Sequence, residues 1–288
     1  MKEEIQTTSV QRKPEWLKSK IAGSGDFNRI QALVHSHRLH TVCEEARCPN
    51  LGECWELGTA TFMILGDICT RSCRFCAVKT GRPAKDLDWD EPQRVVDAIR
   101  TLSLRHAVIT SVNRDEREDG GAPIFAETIR LVHDSIPGCR VEALIPDFKG
   151  NEKSLNIVLE AKPDILNHNL ETVPRLYHAV RPQANYKQSL RVLDRAKQKG
   201  FVTKTGLMVG LGEEIDEALD VMRDAREVGC ELLTIGQYLQ PSKENLPVAR
   251  FVHPDEFRML KERGYEMGFR HVESGPLVRS SYHAALQV

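Results

Sequence analysis

The chain has 288 residues, 41% of them hydrophobic, 28% charged and 6% aromatic, which supplies a full apolar core and excludes a disordered or collagen-like chain. Forty Lys and Arg against 41 Asp and Glu leave a formal net charge of −1, without the basic footprint of a general nucleic-acid binder. No run approaches the roughly 18 apolar residues of a spanning helix, and Met1-Lys2-Glu3-Glu4 leads into polar residues, so a cytoplasmic protein with no membrane partner is expected.

The first 60 residues lack the rhythm of the rest. Pro14-Glu15-Trp16-Leu17 opens an extension bearing Lys18, Lys20, Arg29 and Arg38, a solvated basic face. From there on, short apolar or β-branched runs at 62–65, 107–112, 141–145, 165–169, 202–209 and 232–238 predict strands, with 271–274 as a weak last piece. Amphipathic stretches separate them. Val95, Val96, Ile99 and Leu102 share one helical face, as do Leu190, Leu193 and Ala196 in a helix ended by Gly200, then Ile215, Leu219, Met222 and Ala225, and later Phe257 and Leu260. Repeated βα units of this kind build a parallel sheet, so the expected class is α/β, a partial (β/α)6 barrel preceded by an appended extension.

Six of the eight cysteines fall between residues 43 and 76 in two triplets, which in a reducing compartment argues for metal ligation over disulfides. The second triplet, Cys69-x3-Cys73-x2-Cys76, follows the first barrel strand and Gly66. Three thiols fill three corners of a centre. A structural zinc site is closed by four protein ligands, so this loop needs a distant fourth ligand or leaves a position open. An iron–sulfur cubane with three protein ligands would leave one iron free for a small chelating molecule. The first triplet, Cys43-x4-Cys48-x5-Cys54, has no fourth cysteine nearby and implies a second centre, with a zinc knob in the extension as the alternative.

Longer motifs surround the triplets. They are Cys43-Glu44-Glu45-Ala46-Arg47-Cys48-Pro49-Asn50-Leu51-Gly52-Glu53-Cys54-Trp55, Gly58-Thr59-Ala60-Thr61-Phe62, Thr110-Ser111-Val112-Asn113-Arg114-Asp115, Asn167-His168-Asn169-Leu170-Glu171-Thr172 and Arg279-Ser280-Ser281-Tyr282-His283-Ala284. Together, over roughly residues 14 to 284, they resemble the lipoyl synthase family of the radical S-adenosylmethionine (SAM) superfamily.

The resemblance implies a radical-SAM partial barrel at 61–275, an N-terminal extension at 1–60 carrying an auxiliary cluster, and a C-terminal segment at 276–288 carrying its serine ligand. It implies two [4Fe–4S] clusters and SAM as cofactors. Cys69, Cys73 and Cys76 would hold the catalytic cluster, and Cys43, Cys48 and Cys54 the auxiliary one, closed by Ser280 or Ser281, of which Ser281 is favoured. The reaction implied is insertion of two sulfur atoms at carbons 6 and 8 of a protein-bound octanoyl-lysine. Those C–H bonds are beyond any side-chain acid or base, so a radical cofactor must carry the step and the auxiliary cluster supplies the sulfur. Partners implied are octanoylated lipoyl carrier domains or the glycine cleavage H protein, an electron donor protein and a cluster-repair protein. Another two-cluster, sulfur-inserting radical SAM enzyme is the alternative.

SAM needs polar groups at the strand ends. Asn113, Arg114, Glu142, Asn169, Glu171 and Arg181 are the candidates, with helix caps and solvated loop residues as the competing roles. Gly210-Leu211-Gly212-Glu213 is a barrel turn lacking a full dinucleotide fingerprint or P-loop Lys. Cys139 and Cys230 are expected to be buried and inert, and His35, His37 and His40 to pack or face solvent.

Overall fold

A computed structural model describes residues 12–18, 25–45, 48, 50 and 61–287 of the chain. Its main sheet has eight strands, in the order β1 (His40–Thr41), β2 (Thr61–Ile64), β5 (His106–Ser111), β6 (Arg140–Leu144), β7 (Ile165–Asn167), β8 (Val202–Val209), β9 (Leu232–Gln237) and β10 (His271–Gly275). The last seven run parallel, each beside the preceding strand of this sheet, and β1 joins antiparallel to β2. A separate parallel pair, β3 (Ile68–Cys69) and β4 (Lys79–Thr80), brackets the cysteine loop.

Helices fill the crossovers and part of the extension. They are α1 (Gly25–Ser36), α2 (Val42–Glu45), α3 (Glu91–Thr101), α4 (Ala122–Ser135), α5 (Glu152–Glu160), α6 (Tyr177–Val180), α7 (Tyr186–Gln198), α8 (Ile215–Glu227) and α9 (Pro254–Glu266). Their starts are written locally: the Asn151 and Asn185 side chains accept amide protons from the first turns of α5 and α7, and Pro92 sits early in α3, where its missing N–H costs nothing. Strands β5, β7 and β9 are buried nearly throughout because a parallel sheet is covered on both faces. One apolar cluster joins Ile30, Val34 and Leu39 of the extension to Phe62, Ile109, Val141 and the inner faces of α3, α4 and α5. A second packs α8 and α9 on β8, β9 and β10.

The α/β parallel sheet expected from the rhythm is present, unclosed among the described residues as a partial barrel is, with the weak seventh piece, 271–274, as a full strand paired to β9. The first strand ends one residue early, since Leu65 turns to φ 71°, and the fourth stops at Asn167, where the chain bends toward Glu171 at φ 68°. In α7 the inward residue is Ser189 and Leu190 is only half-buried, because the Ser189 hydroxyl has polar partners inside. The extension adds β1 to the sheet, so its described part shares the barrel's sheet and core.

The sheet face away from the helices is polar toward the start of the strands. Glu142 on β6 is fully buried there, its carboxylate 3.0 Å from the Lys204 ammonium, 2.7 Å from Asn167 Nδ2 and 3.6 Å from His106 Nε2. Burial opposes the charge of Glu142, but Lys204 and the hydrogen bonds hold its carboxyl below the usual range. The C-terminal segment crosses the same face. A side chain at Gly236 on β9 would place its Cβ 2.1 Å from the carbonyl oxygen of Val278, Asn50 Nδ2 donates to the Leu277 carbonyl at 2.6 Å, and the turn Ala284–Leu286 reaches β5.

Candidate functional site

Three free cysteines, Cys69, Cys73 and Cys76, stand half-buried on the loop after β2. The loop is held by main-chain contacts: Thr70 N donates to Asn113 O at 3.0 Å, Arg74 N to Val180 O at 2.9 Å, and Asn245 Nδ2 to the carbonyls of Arg74 and Cys76 at 3.2 and 2.9 Å. Its fixed point is Arg71. The buried guanidinium donates to Asp115 Oδ2 at 2.7 Å and to Asp147 Oδ1 at 2.5 Å, tying the loop to those after β5 and β6. Desolvation opposes ionisation of Asp147, yet Arg71 prevails and holds its carboxyl down at about 2.

The thiols differ in setting. Cys69 Sγ accepts amide protons from Arg71 at 3.4 Å and Asn113 at 3.3 Å. Burial raises Cys73, with the Arg181 charge working against it, and pushes Cys76 up to about 12. Such thiols become ligands when a bound cation takes the proton's place. The donor set is three soft sulfurs on one loop, the chemistry of an iron–sulfur centre, although among the described residues no three metal-binding side chains converge closely enough to hold a single ion.

Around the loop stand the polar candidates. Asn113 Oδ1, Asn169 Oδ1 and Arg181 Nε are buried without a hydrogen-bond partner among the described residues, as a site shaped for an absent polar ligand would leave them. Asn169 Nδ2 donates to Glu171 Oε1 at 3.0 Å and to Ser280 Oγ at 2.8 Å. Burial raises Glu171, partly offset by Arg181 and Asn169, and its backbone is held at φ 68°. Thus Asn113, Asn169, Glu171 and Arg181 gather with Cys69 and Cys73. Two other candidates face elsewhere: Arg114 donates to Glu116 and to the carbonyls of Leu65 and Lys85, and Glu142 is enclosed by Lys204, Asn167 and His106. The Gly210 and Leu211 amides, which a phosphate would need, donate to the carboxylate of Glu213.

Of the first triplet, Cys54 lies outside the described residues, as does the side chain of Cys43. Cys48 is half-buried, its thiol raised by burial and lowered in part by the Asn50 main chain and Arg279. Arg279 adjoins Ser280 and Ser281, and Thr61 Oγ1 donates to Ser281 Oγ at 2.7 Å, so the C-terminal serines and Cys48 share one neighbourhood at the start of β2. Cys139 and Cys230 are buried and unpaired, the latter donating to the Thr203 and Leu232 carbonyls. His37 bonds to Leu33 O and His40 to Glu45. The Arg71 clamp and Asn245 carried no sequence signal, since their partners lie 44 to 171 residues away.

Residues 63–225 match the radical SAM superfamily, and residues 1–48 match the N-terminal domain of lipoyl synthase of that family. A lipoyl synthase of Rubrobacter xylanophilus is 59% identical over 94% of this chain and 85% of its own length. One from Caldanaerobacter subterraneus is 55% identical over 95% of this chain and 96% of its own. Among solved structures, the [FeFe]-hydrogenase maturase HydG superposes with a TM-score of 0.57 at 16% identity, covering 73% of this chain and 50% of that one. SuiB of Streptococcus suis bound to S-adenosylmethionine does so at 0.57 and 9%, covering 78% and 52%. At these identities the structural likeness concerns the fold alone.

Proposed function

The chain belongs to the lipoyl synthase family of the radical SAM superfamily, and from that membership we propose that Cys69, Cys73 and Cys76 hold its catalytic [4Fe–4S] cluster while Cys43, Cys48, Cys54 and Ser281 hold its auxiliary one. It is a sulfur-inserting radical SAM enzyme that completes the lipoyl group on octanoylated carrier proteins. When bound, SAM on the catalytic cluster supplies the adenosyl radical that removes hydrogen from the octanoyl chain, and the auxiliary cluster supplies the sulfur.

The chain's own residues bind, orient and enclose. In this reading Asn113, Asn169, Glu171 and Arg181 meet SAM beside the cysteine loop, which is supported by Asn113 Oδ1, Asn169 Oδ1 and Arg181 Nε having no hydrogen-bond partner among the described residues. Arg71 fixes the loop against two carboxylates, so the thiols keep their relative positions through repeated turnovers. The C-terminal crossing brings Ser280 to Asn169 and Ser281 to Thr61, linking the two proposed ligand sets across one face of the sheet. In this reading 1–60 carries the auxiliary centre, 61–275 the barrel and 276–288 the closing segment. An electron donor protein, a protein that rebuilds the consumed cluster and a cytoplasmic location belong to the same reading. Among the described residues no helix is long and apolar enough to cross a membrane.

The observation that supports the assignment is the placing of Cys69, Cys73 and Cys76 on one loop, near enough for their charges to act on one another, beside polar atoms without partners among the described residues. The test is mass spectrometry of an octanoylated carrier peptide incubated anaerobically with SAM, reductant and the reconstituted enzyme. The parent should add two sulfurs. Cys73→Ala should neither cleave SAM nor add sulfur, and Cys48→Ala should still cleave SAM without forming the lipoyl product. A Cys73→Ala enzyme that makes 5′-deoxyadenosine overturns the first assignment, and a Cys48→Ala enzyme that makes lipoyl product overturns the second.

A further inference from the structure

His168 belongs to the Asn167–Thr172 motif yet touches no proposed ligand. It is buried behind the site, 2% exposed, with Nδ1 2.8 Å from the Ile145 carbonyl and Nε2 3.0 Å from Ser189 Oγ. A carbonyl accepts only, so Nδ1 carries the proton and Nε2 accepts. Burial and the Arg181 charge hold its pKa down at about 4, in keeping with a neutral ring. From there the bonds run in one direction. Ser189 O–H donates to His168, Tyr177 O–H donates to Ser189 at 3.3 Å, and Arg181 Nη1 donates to the Tyr177 oxygen at 3.0 Å. Each hydroxyl and the ring N–H in this chain of bonds faces an acceptor, so the bonds polarise one another and specify a single arrangement. The guanidinium also lies over the Tyr177 ring at 5.3 Å, and Nη1 reaches the Asn169 and Leu170 carbonyls at 3.0 and 3.2 Å. Arg181 is thereby held beside Cys73 and Glu171, with Nε left without a partner among the described residues.

We propose that Tyr177, Ser189 and His168 are positioning residues for SAM binding, acting through Arg181. They fix the rotamer that presents its free N–H to the cofactor. The proposal rests on the reading of Arg181 as a SAM contact. A hydroxyl would otherwise be wasted at position 189, where the helical pattern calls for an apolar residue.

The test is calorimetric titration of SAM into the anaerobic, reconstituted enzyme without reductant, with iron content and melting temperature measured alongside. Tyr177→Phe, which keeps the ring, and Ser189→Ala should each weaken SAM binding by about threefold to tenfold, the range of one net hydrogen bond. Both should retain their iron. Arg181→Lys should weaken binding at least as much, and Tyr177→Phe should add nothing in that background, which a merely structural role would not produce. Unchanged affinity in Arg181→Lys overturns the reading of Arg181. Weakened Arg181→Lys with unchanged Tyr177→Phe and Ser189→Ala overturns the relay alone, as do additive losses in the double variant. If Ser189→Ala loses iron, the near-isosteric Tyr177→Phe decides.

Discussion

Arg71 and Asp147 show how much of the site is decided between single side chains far apart in sequence. A guanidinium 4% exposed is tolerable only because two carboxylates meet it, and one of these, Asp147, also accepts from Lys149 N and Gln188 Nε2. The folded-state pKa of Asp147 lies below its ordinary 3.8, at about 2, so its contribution is fully present above pH 4 and is lost as pH falls through that interval. Its size is about 2 kcal/mol at neutral pH. Accordingly, the difference in unfolding free energy between the parent and Asp147→Asn, measured by urea titration, should narrow steadily below pH 4. A gap that stays constant from pH 7 to pH 3 would show that the ion pair is not its source.

At the scale of elements, the C-terminal crossing depends on a single missing side chain. Gly236 has an ordinary strand backbone, so its role is space: the Val278 carbonyl occupies the volume where a Cβ would stand, and main chain cannot swing aside as a side-chain tip can. Gly236→Ala should therefore displace residues 276–287, taking Ser280 from Asn169 and Ser281 from Thr61. The expected result is selective loss of the auxiliary centre, from about eight irons per chain to about four, with SAM cleavage retained. Full iron content in this variant would detach the crossing from cluster binding. Limited proteolysis should cut the freed tail in step with the iron loss.

Across the whole molecule, the sheet is open among the described residues, and the Glu142 hub ties β5, β6, β7 and β8 from within. A buried pair of this kind is costly to break and cheap to replace. Lys204→Met alone leaves Glu142 charged and unanswered, and should lower the unfolding free energy by about 3–5 kcal/mol. Adding Glu142→Gln removes the orphaned charge and should recover a substantial part. Chemical denaturation of the two variants checks this, and a double variant no more stable than Lys204→Met would show that charge burial is not the reason. Glu142 looked like a cavity residue in the sequence because a charged side chain on a strand end commonly faces a ligand. The fold supplies it with an internal cation 62 residues away instead.

Period and spacing alone determined much of this protein. The βα rhythm specified an α/β parallel sheet, since strands covered on both faces must be apolar and their crossovers amphipathic, and the triplet spacing placed three thiols on one loop. The longer motifs named the family. What needed the folded chain was every relation across sequence distance. It showed that Arg114 braces a loop while Arg181 faces the cysteines, that Ser189 turns inward for His168, and that the C-terminal serines meet β2 and Asn169. Local propensity and periodicity are properties of neighbours, written in order along the chain. A buried polar group's partner is fixed by packing, and packing joins residues that the sequence holds apart.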